Sequence, residues 1–350
     1  MSSPVRFALA GFGAWGKLHA QSIAGNPDAR LVAITAPTEA TRKEAAAAYP
    51  EAKIFPDAQT MMAQTEFDII DIVTPSHTHR DIALAALAKG KHVLLEKPMA
   101  TTLEDCKAIA AGAATSKGKL ALGHEFRLSS QWGEIKRIIE RGTIGEPQYV
   151  LVELLRKPYR LGAGGWRYDQ SRVGSWVLEE PIHFFDLARW YLSGSGDPVE
   201  LYAYGNSRDP QRPQLFDNFS AMFKYANGSY AVVSQTLAAF EHHQTVKVTG
   251  TKGAIWAGWS GALDRTLEPS YFLKVFDGQN LENVKIETHS GEVFELREEI
   301  AQCIRMVRGE SHRLATALDG LWSAGLCLVA EESIRQQRPL RVGELLNPQP

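Results

Sequence analysis

The chain has 350 residues, 44% hydrophobic and 22% charged, the balance of a globular protein with room for two domains of ordinary size. Thirty-eight Lys and Arg against forty Asp and Glu leave a net charge of −2, which gives no whole-chain attraction to nucleic acid or to an anionic membrane. No stretch is apolar for long enough to span a bilayer, and the segment from Met1 to Arg6 lacks the apolar run of a signal peptide, so a cytoplasmic protein is expected. Cys106, Cys303 and Cys327 are odd in number and far apart, which fits neither a metal site nor a disulfide framework. Each lies in a helical pattern and reads as a buried thiol.

The first third alternates strand and helix signals. Val5 to Ala10 is a short apolar run that ends at Gly11, and a helical pattern covers Trp15 to Ala24. Leu31 to Thr35 reads as a second strand, followed by an alanine-rich helix from Thr41 to Tyr49. Phe67 to Thr74 is a third strand, with a helix from Arg80 to Lys89 behind it. His92 to Leu95 is a fourth, Leu103 to Ser116 is helical, and Leu120 to Gly123 is a further strand. This alternation predicts parallel βαβ units with right-handed crossovers.

After Gly123 the texture changes. Helices are expected from Gln131 to Arg141 and from Pro181 to Leu192. Strands are expected at Gln148 to Leu155, Glu200 to Tyr204, Asn218 to Tyr225, Ser229 to Thr236, Thr245 to Thr249 and Tyr271 to Phe276. Asn227-Gly228 is a strong hairpin turn and Lys252-Gly253 marks another. The second half therefore reads as a large, open-faced, mostly antiparallel sheet with helices on one face. Closing helices are expected from Glu295 to Val307 and from Ala315 to Arg335. The fold class is α/β with two domains, 1–122 and 123–350, without internal repeats or low-complexity tracts.

Gly11-Phe12-Gly13-Ala14-Trp15-Gly16 is GxGxxG set directly between a strand and a helix. The glycines permit a tight turn and close approach of backbone to a pyrophosphate, and the helix N-terminus offers N–H donors. A plain glycine-rich turn is the alternative, but placement in the first βαβ unit favours dinucleotide binding. The acidic residue that usually takes the ribose 2′-hydroxyl at the end of the second strand is missing. The matching stretch is Thr35-Ala36-Pro37-Thr38, with Arg42 and Lys43 one turn on, so a slight lean toward NADP over NAD follows.

Glu96-Lys97-Pro98 after the fourth strand extends the pattern, as do Thr74-Pro75-Ser76-His77-Thr78-His79, Gly123-His124-Glu125-Phe126-Arg127, Gly165-Trp166-Arg167 and His183-Phe184-Phe185-Asp186. Together, in this order, they make the chain resemble the glucose–fructose oxidoreductase, inositol dehydrogenase and rhizopine catabolism (Gfo/Idh/MocA) family over nearly its whole length. The resemblance implies a Rossmann domain followed by an α/β domain whose open sheet builds dimers or tetramers. It also implies hydride transfer between NAD or NADP and a sugar, inositol or related polyol.

Alcohol oxidation needs a base for the hydroxyl proton and a cationic or donor group for the developing alkoxide. The resemblance assigns Lys97 to the nicotinamide and the substrate, and an acid–histidine pair to Glu179 and His183. Pro181 suits the first helical position, which puts His183 in the first turn, where the dipole disfavours imidazolium. Aspartate is usual in the family where Glu179 stands, so the adjacent Glu180 competes for the supporting role. The implied cofactor contacts are Gly11, Phe12, Gly13, Ala14, Trp15, Gly16, Thr35, Ala36, Thr38, Thr74, Pro75, His77, Glu96, Lys97, Trp166 and Arg167. The implied substrate contacts are Lys97, Glu125, Arg127, Trp166, Glu180 and His183.

Other signals favour structural readings. His77 and His79 lack a third metal ligand, and His79 reads as a helix start. His242-His243 reads as a surface or substrate-contact pair, so no metal is expected. Among Phe126, Tyr159, Trp166, Tyr168, Trp176 and Phe240, core packing or subunit contact accounts for at least half. The basic group Arg156, Lys157, Arg160, Arg167 and Arg172 reads as a solvated loop or interface more readily than an anion site. Two other functions remain open: a redox-assisted lyase or glycosidase using the same groups, and a ligand-sensing regulator that has lost the chemistry.

Overall fold

The structure, a computed structural model, describes residues 3–346. The chain divides into two compact units, one running to Leu128 and including Val293–Leu321, the other comprising Ser129–Glu292 and the chain from Trp322 onward.

In the first unit the strands are β1 (Val5–Ala10), β2 (Ala29–Thr35), β3 (Lys53–Phe55), β4 (Ile69–Ile72), β5 (His92–Glu96) and β6 (Leu120–Gly123). The helices between them are α1 (Ala14–Ala24), α2 (Glu39–Ala48), α3 (Ala58–Gln64), α4 (His79–Ala88) and α5 (Leu103–Thr115). The six strands pair in parallel in the order β6-β5-β4-β1-β2-β3, and Ala315–Thr316 adds a short antiparallel strand beside β6. Strand order reverses between β1 and β4, the switch point where open α/β sheets receive ligands at their carboxyl ends. Thr38, Asp57 and Thr102 each cap the helix that follows by accepting a backbone N–H.

The apolar strand positions, Phe7, Leu9, Ile34, Ile69 and Leu94 among them, form one core cluster with Ile300, Cys303 and Ile304. Those last residues lie on α9 (Glu292–Val307). The expected cut at 122/123 treats the N-terminal region as one continuous piece. The compact unit is discontinuous, because α9 completes its core and Asp319 pairs with Arg127 at 3.1 Å.

The second unit contains α6 (Trp132–Glu140), β7 (Pro147–Arg156), α7 (Gln170–Val173) and α8 (Pro181–Tyr191). The strands β8 (Glu200–Asn206), β9 (Asn218–Lys224), β10 (Tyr230–Thr236), β11 (His242–Gly250), β12 (Ala254–Gly261), β13 (Ser270–Phe276) and β14 (Leu281–Asn283) follow. Their order is β14-β13-β12-β11-β7-β10-β9-β8, with Leu340–Arg341 at the edge. The pairing is antiparallel except between β7 and β10. Alternate positions are buried along the central strands, as in Val150, Val152 and Leu154 of β7, and Phe185 of α8 stacks on Phe219 and Phe223 of β9. The opposite face leaves Tyr204, Met222, Trp256, Phe272 and Phe276 exposed. The open face read from the sequence is thus present.

Candidate active site

The turn from β1 into α1 is too tight for side chains at two of its glycines. Gly11 has φ +106°, and a Cβ there would lie 2.7 Å from the Val73 carbonyl oxygen. A Cβ on Gly16 would lie 2.2 Å from the Gly11 carbonyl oxygen. Gly13 differs, since a Cβ there meets nothing within 4 Å. It is the N-cap of α1 and supplies no side-chain cap to the first N–H groups of the helix. A cradle that a side chain would fill, at the positive end of a helix, fits a dinucleotide pyrophosphate. Gly11, Gly13, Ala14 and Gly16 are the residues that would hold it. The Phe12 ring instead packs in the core, edge-on to Tyr49.

The end of β2 carries the adenosine-side candidates. Thr35 is buried and its hydroxyl accepts the Gly11 N–H at 3.1 Å, which ties the strand end to the glycine loop. The Ala36 side chain is fully buried. Thr38 caps α2. Arg42 does not point away: its guanidinium donates to the Ala36 and Pro37 carbonyls at 3.1 and 2.8 Å, which places a cation directly over this loop. Lys43 is paired with Glu39.

The loops after β4 and β5 are joined by His79. One ring nitrogen lies 2.9 Å from the Pro98 carbonyl oxygen and the other 2.8 Å from that of Thr74. Burial pulls this imidazole below its ordinary pKa although both carbonyls oppose it. The Thr74-Pro75 turn and the Lys97-Pro98-Met99 segment are therefore fixed to one another through a helix-start residue. Lys97 is half-buried, follows β5 directly, and makes a cis peptide bond with Pro98. Pro75 and His77, which follow Thr74, are exposed. Glu96 is buried, and its carboxylate accepts the Trp15 indole N–H at 2.9 Å.

In the second unit Pro181 opens α8, so His183 lies in the first turn as expected, and its side chain is buried. The two carboxylates that precede the helix have separate partners. Glu179 forms an ion pair with Arg167, whose guanidinium also covers the Trp166 ring at 4.7 Å. Glu180 pairs with Arg156, and its other oxygen lies 3.0 Å from His242 Nε2. Burial works to raise the Glu180 carboxyl, but Arg156 and His242 outweigh it and hold the group well below the usual carboxylate range.

The basic residues here are largely neutralised. Arg156 and Arg160 share Asp264, and Arg167 is taken by Glu179. His242 is buried against Glu180 and Trp259, which corrects the surface alternative of the expectation for it. Its place at the start of β11, one residue beyond the exposed Glu241, carries no sequence signal for this. Tyr159 and Trp176 are buried in a small apolar cluster against which Trp166 and Tyr168 pack, and Phe126 is buried in the first unit. Phe240 is exposed.

Glu125 and Arg127 lie on a short 3-10 helix and are both buried. The Arg127 guanidinium is engaged by Asp319, so for Arg127 the structure offers a packing role where a substrate contact is expected. Two residues not singled out from the sequence also stand out, His19 and Asp71, whose side chains meet at 2.8 Å with no exposure. An aspartate inside the apolar run Ile69-Ile70-Asp71-Ile72 is the signal that could have found them. Among the described residues, His19, Glu96 and Glu299 bring donor atoms within 4.8 Å of one another. Glu96 is already engaged there by Trp15 and His19. All three cysteines are buried thiols, as expected.

Residues 5–124 match the oxidoreductase family with an NAD-binding Rossmann fold, and residues 132–256 match the Gfo/Idh/MocA C-terminal domain. The chain is 31% identical to the inositol 2-dehydrogenase of Rhizobium meliloti over 263 residues, 72% of this chain and 75% of that one. It is 24% identical to the myo-inositol 2-dehydrogenase of Thermotoga maritima across 98% of this chain and 100% of the other. The crystal structure of an oxidoreductase from Agrobacterium radiobacter, in complex with NAD+, L-tartaric acid and magnesium, shares the fold. Its TM-score is 0.83 at 21% identity, covering 98% of this chain and 100% of that one.

Proposed function

The chain belongs to the Gfo/Idh/MocA oxidoreductase family, and on that premise we propose that it moves a hydride between NAD or NADP and a hydroxyl or carbonyl of a sugar, inositol or related polyol. The observation that carries this reading is the glycine loop, closed to side chains at Gly11 and Gly16 and open at Gly13, at the start of α1. Lys97 leaves the carboxyl end of β5 in the same sheet. When bound, the dinucleotide supplies the hydride acceptor or donor.

Lys97 binds the reacting oxygen and, as an ammonium, stabilises negative charge that develops on it. His183 takes or returns the hydroxyl proton, since a helix N-terminus favours its neutral form. Glu179 and Glu180, held by Arg167 and by Arg156 with His242, set the backbone that leads into α8. Trp166, next to Arg167, and Glu125 belong to the substrate and cofactor surroundings in this reading. The region up to residue 122 serves the cofactor and the remainder the substrate and subunit contacts.

Two finer assignments belong to the same reading. Arg42 over the Ala36 and Pro37 carbonyls, with no carboxylate in that stretch, favours NADP slightly over NAD. The exposed aromatic face of the large sheet, with Tyr204, Trp256 and Phe272, is a surface for a second copy in a dimer or tetramer. Mass measurement in solution tests the latter, with a monomer as the opposing result. The protein works in the cytoplasm; no helix among the described residues is long and apolar enough to cross a membrane.

The test of function is a panel of sugars, inositols and sugar acids incubated with NAD or NADP. Net formation of reduced nicotinamide with equimolar oxidised product supports the dehydrogenase. Product formed without net reduction points to a redox-assisted lyase or glycosidase, and binding without turnover to a sensor.

A further inference from the structure

The buried polar groups of the first unit that the mechanism above leaves unused converge on Glu96. Its Oε1 accepts the Trp15 indole N–H at 2.9 Å and lies 3.1 Å from His19 Nε2, an ion-pair approach outside hydrogen-bond geometry. Its Oε2 accepts the Lys97 backbone N–H at 3.1 Å. His19, on α1, has its other ring nitrogen 2.8 Å from Asp71 Oδ2 on β4. Glu299 of α9 closes the group, fully buried and with neither carboxyl oxygen hydrogen-bonded.

Glu96 thus joins the helix of the glycine loop, through Trp15 and His19, to the main chain of the residue proposed to do the chemistry, and His19 links the group to β4 through Asp71. Only a doubly protonated imidazole donates from both nitrogens, and both of its neighbours here are carboxylates. Burial pulls the His19 pKa down, but Asp71 and Glu96 outweigh it and hold the group well above its ordinary value. Burial, with Glu96 close by, pushes the Glu299 carboxyl well up.

We propose that His19 is a positioning residue whose imidazolium is shared between the Asp71 carboxylate, which it hydrogen-bonds, and the Glu96 carboxylate, which it holds as an ion pair, and that through Glu96 it fixes both the Trp15 side chain beside the glycine loop and the main chain at Lys97. This rests on the reading of Lys97 as the group that touches substrate. Glutamine at position 19 is of similar length but donates from only one atom, so Glu96 or Asp71 loses its partner. Asp71→Asn keeps the shape and removes the charge that favours imidazolium.

The experiment compares wild type, His19→Gln and Asp71→Asn by steady-state kinetics on the folded fraction and by the indole 1H–15N resonance of Trp15, assigned with Trp15→Phe. Both variants are expected to lower kcat by on the order of ten- to a hundred-fold, the scale of a small misplacement of a reacting group. Substrate KM should change by less than about threefold on the same argument, and the Trp15 resonance should shift. A variant that melts earlier but keeps wild-type kcat and an unmoved Trp15 resonance contradicts the proposal and leaves His19 a packing residue. Should neither variant fold, the wild-type protein decides: 15N imidazole shifts must show His19 protonated on both nitrogens at pH 7, and a singly protonated ring overturns the proposal. Lys97→Ala separates the two levels. Full turnover in that variant defeats the catalytic reading, whereas an inactive Lys97→Ala beside a fully active His19→Gln defeats only this inference.

Discussion

Gly16 stands so close beneath Gly11 that a methyl group added to it would lie 2.2 Å from the Gly11 carbonyl oxygen. The contact is with backbone, which cannot move aside cheaply, so Gly16→Ala should destabilise the protein by about 1–3 kcal/mol, the usual cost of overpacking. Gly13 has open space around its Cβ position and caps α1. Gly13→Ser adds a capping hydroxyl and should leave the melting temperature level or higher. It should nonetheless weaken dinucleotide binding by at least about tenfold, because it fills the cradle. Calorimetric titration with NAD and NADP checks this pair, and unchanged affinity in Gly13→Ser would remove that position from the phosphate site.

The cation over the end of β2 makes a prediction about cofactor choice. Arg42→Ala removes the guanidinium held on the Ala36 and Pro37 carbonyls and should weaken NADP more than NAD. A new carboxylate tests the same point from the other side. Ala36 is fully buried and unsuited to it, but Pro37 is exposed. Pro37→Asp should raise the ratio of the NADP to the NAD dissociation constant. An unchanged ratio in both variants would show that this loop does not choose the cofactor.

The Arg127–Asp319 pair ties a residue near the end of the first stretch of its unit to the 293–321 segment. Burial raises the Asp319 carboxyl, but Arg127 and the Thr316 hydrogen bonds outweigh it and hold it well below its ordinary value. A depressed folded pKa contributes stability that is present above the unfolded value, roughly 3.9, and is lost as pH falls toward the folded one. Asp319→Asn should therefore be less stable than wild type at pH 7 by about 3 kcal/mol. The gap should narrow only when the pH drops below roughly 4. Denaturant titrations at pH 7 and pH 3 check this, and a gap that is equal at both would contradict the assignment.

Much of this was readable before any coordinates. Val5–Ala10 and Leu120–Gly123 have the bounds their apolar runs suggest, and Pro181 opens its helix as its fixed φ favours. Lys53–Phe55 and Ala58–Gln64 are absent from the sequence reading because three strand residues and a seven-residue helix carry too little periodicity. Ala254–Gly261 is also absent, since Trp256 on its open face is as apolar as Ile255 on its buried one and no alternation results. The GxGxxG loop and Lys97 were legible as local motifs. The partners of Glu179, Glu180 and Glu96 were not, because Arg167, Arg156, His242 and His19 reach them from other elements and depend on the fold.

His183 is buried in the first turn of α8, so its removal should affect both stability and chemistry. His183→Ala should lower turnover by about two orders of magnitude or more, the scale of an acid–base group. It should also lower stability by about 1–3 kcal/mol through the space it leaves. Turnover measured per folded molecule separates the two effects. A His183→Ala enzyme that turns over normally once corrected for unfolded protein would take the residue out of the mechanism.

The proposed reaction is hydride transfer to or from a polyol carbon with Lys97 at the reacting oxygen. Its most direct test is the absorbance of reduced nicotinamide, followed for wild type and Lys97→Ala with the best substrate from the sugar, inositol and sugar-acid panel. Lys97 is only half-buried, so the variant should fold like wild type, and saturating dinucleotide keeps any loss of cofactor affinity out of the comparison. The account predicts reduced nicotinamide from wild type, in step with oxidised product, and a rate at least about a hundredfold lower from Lys97→Ala. Equal rates from the two proteins, or no nicotinamide reduction with any member of the panel in either direction, would contradict it.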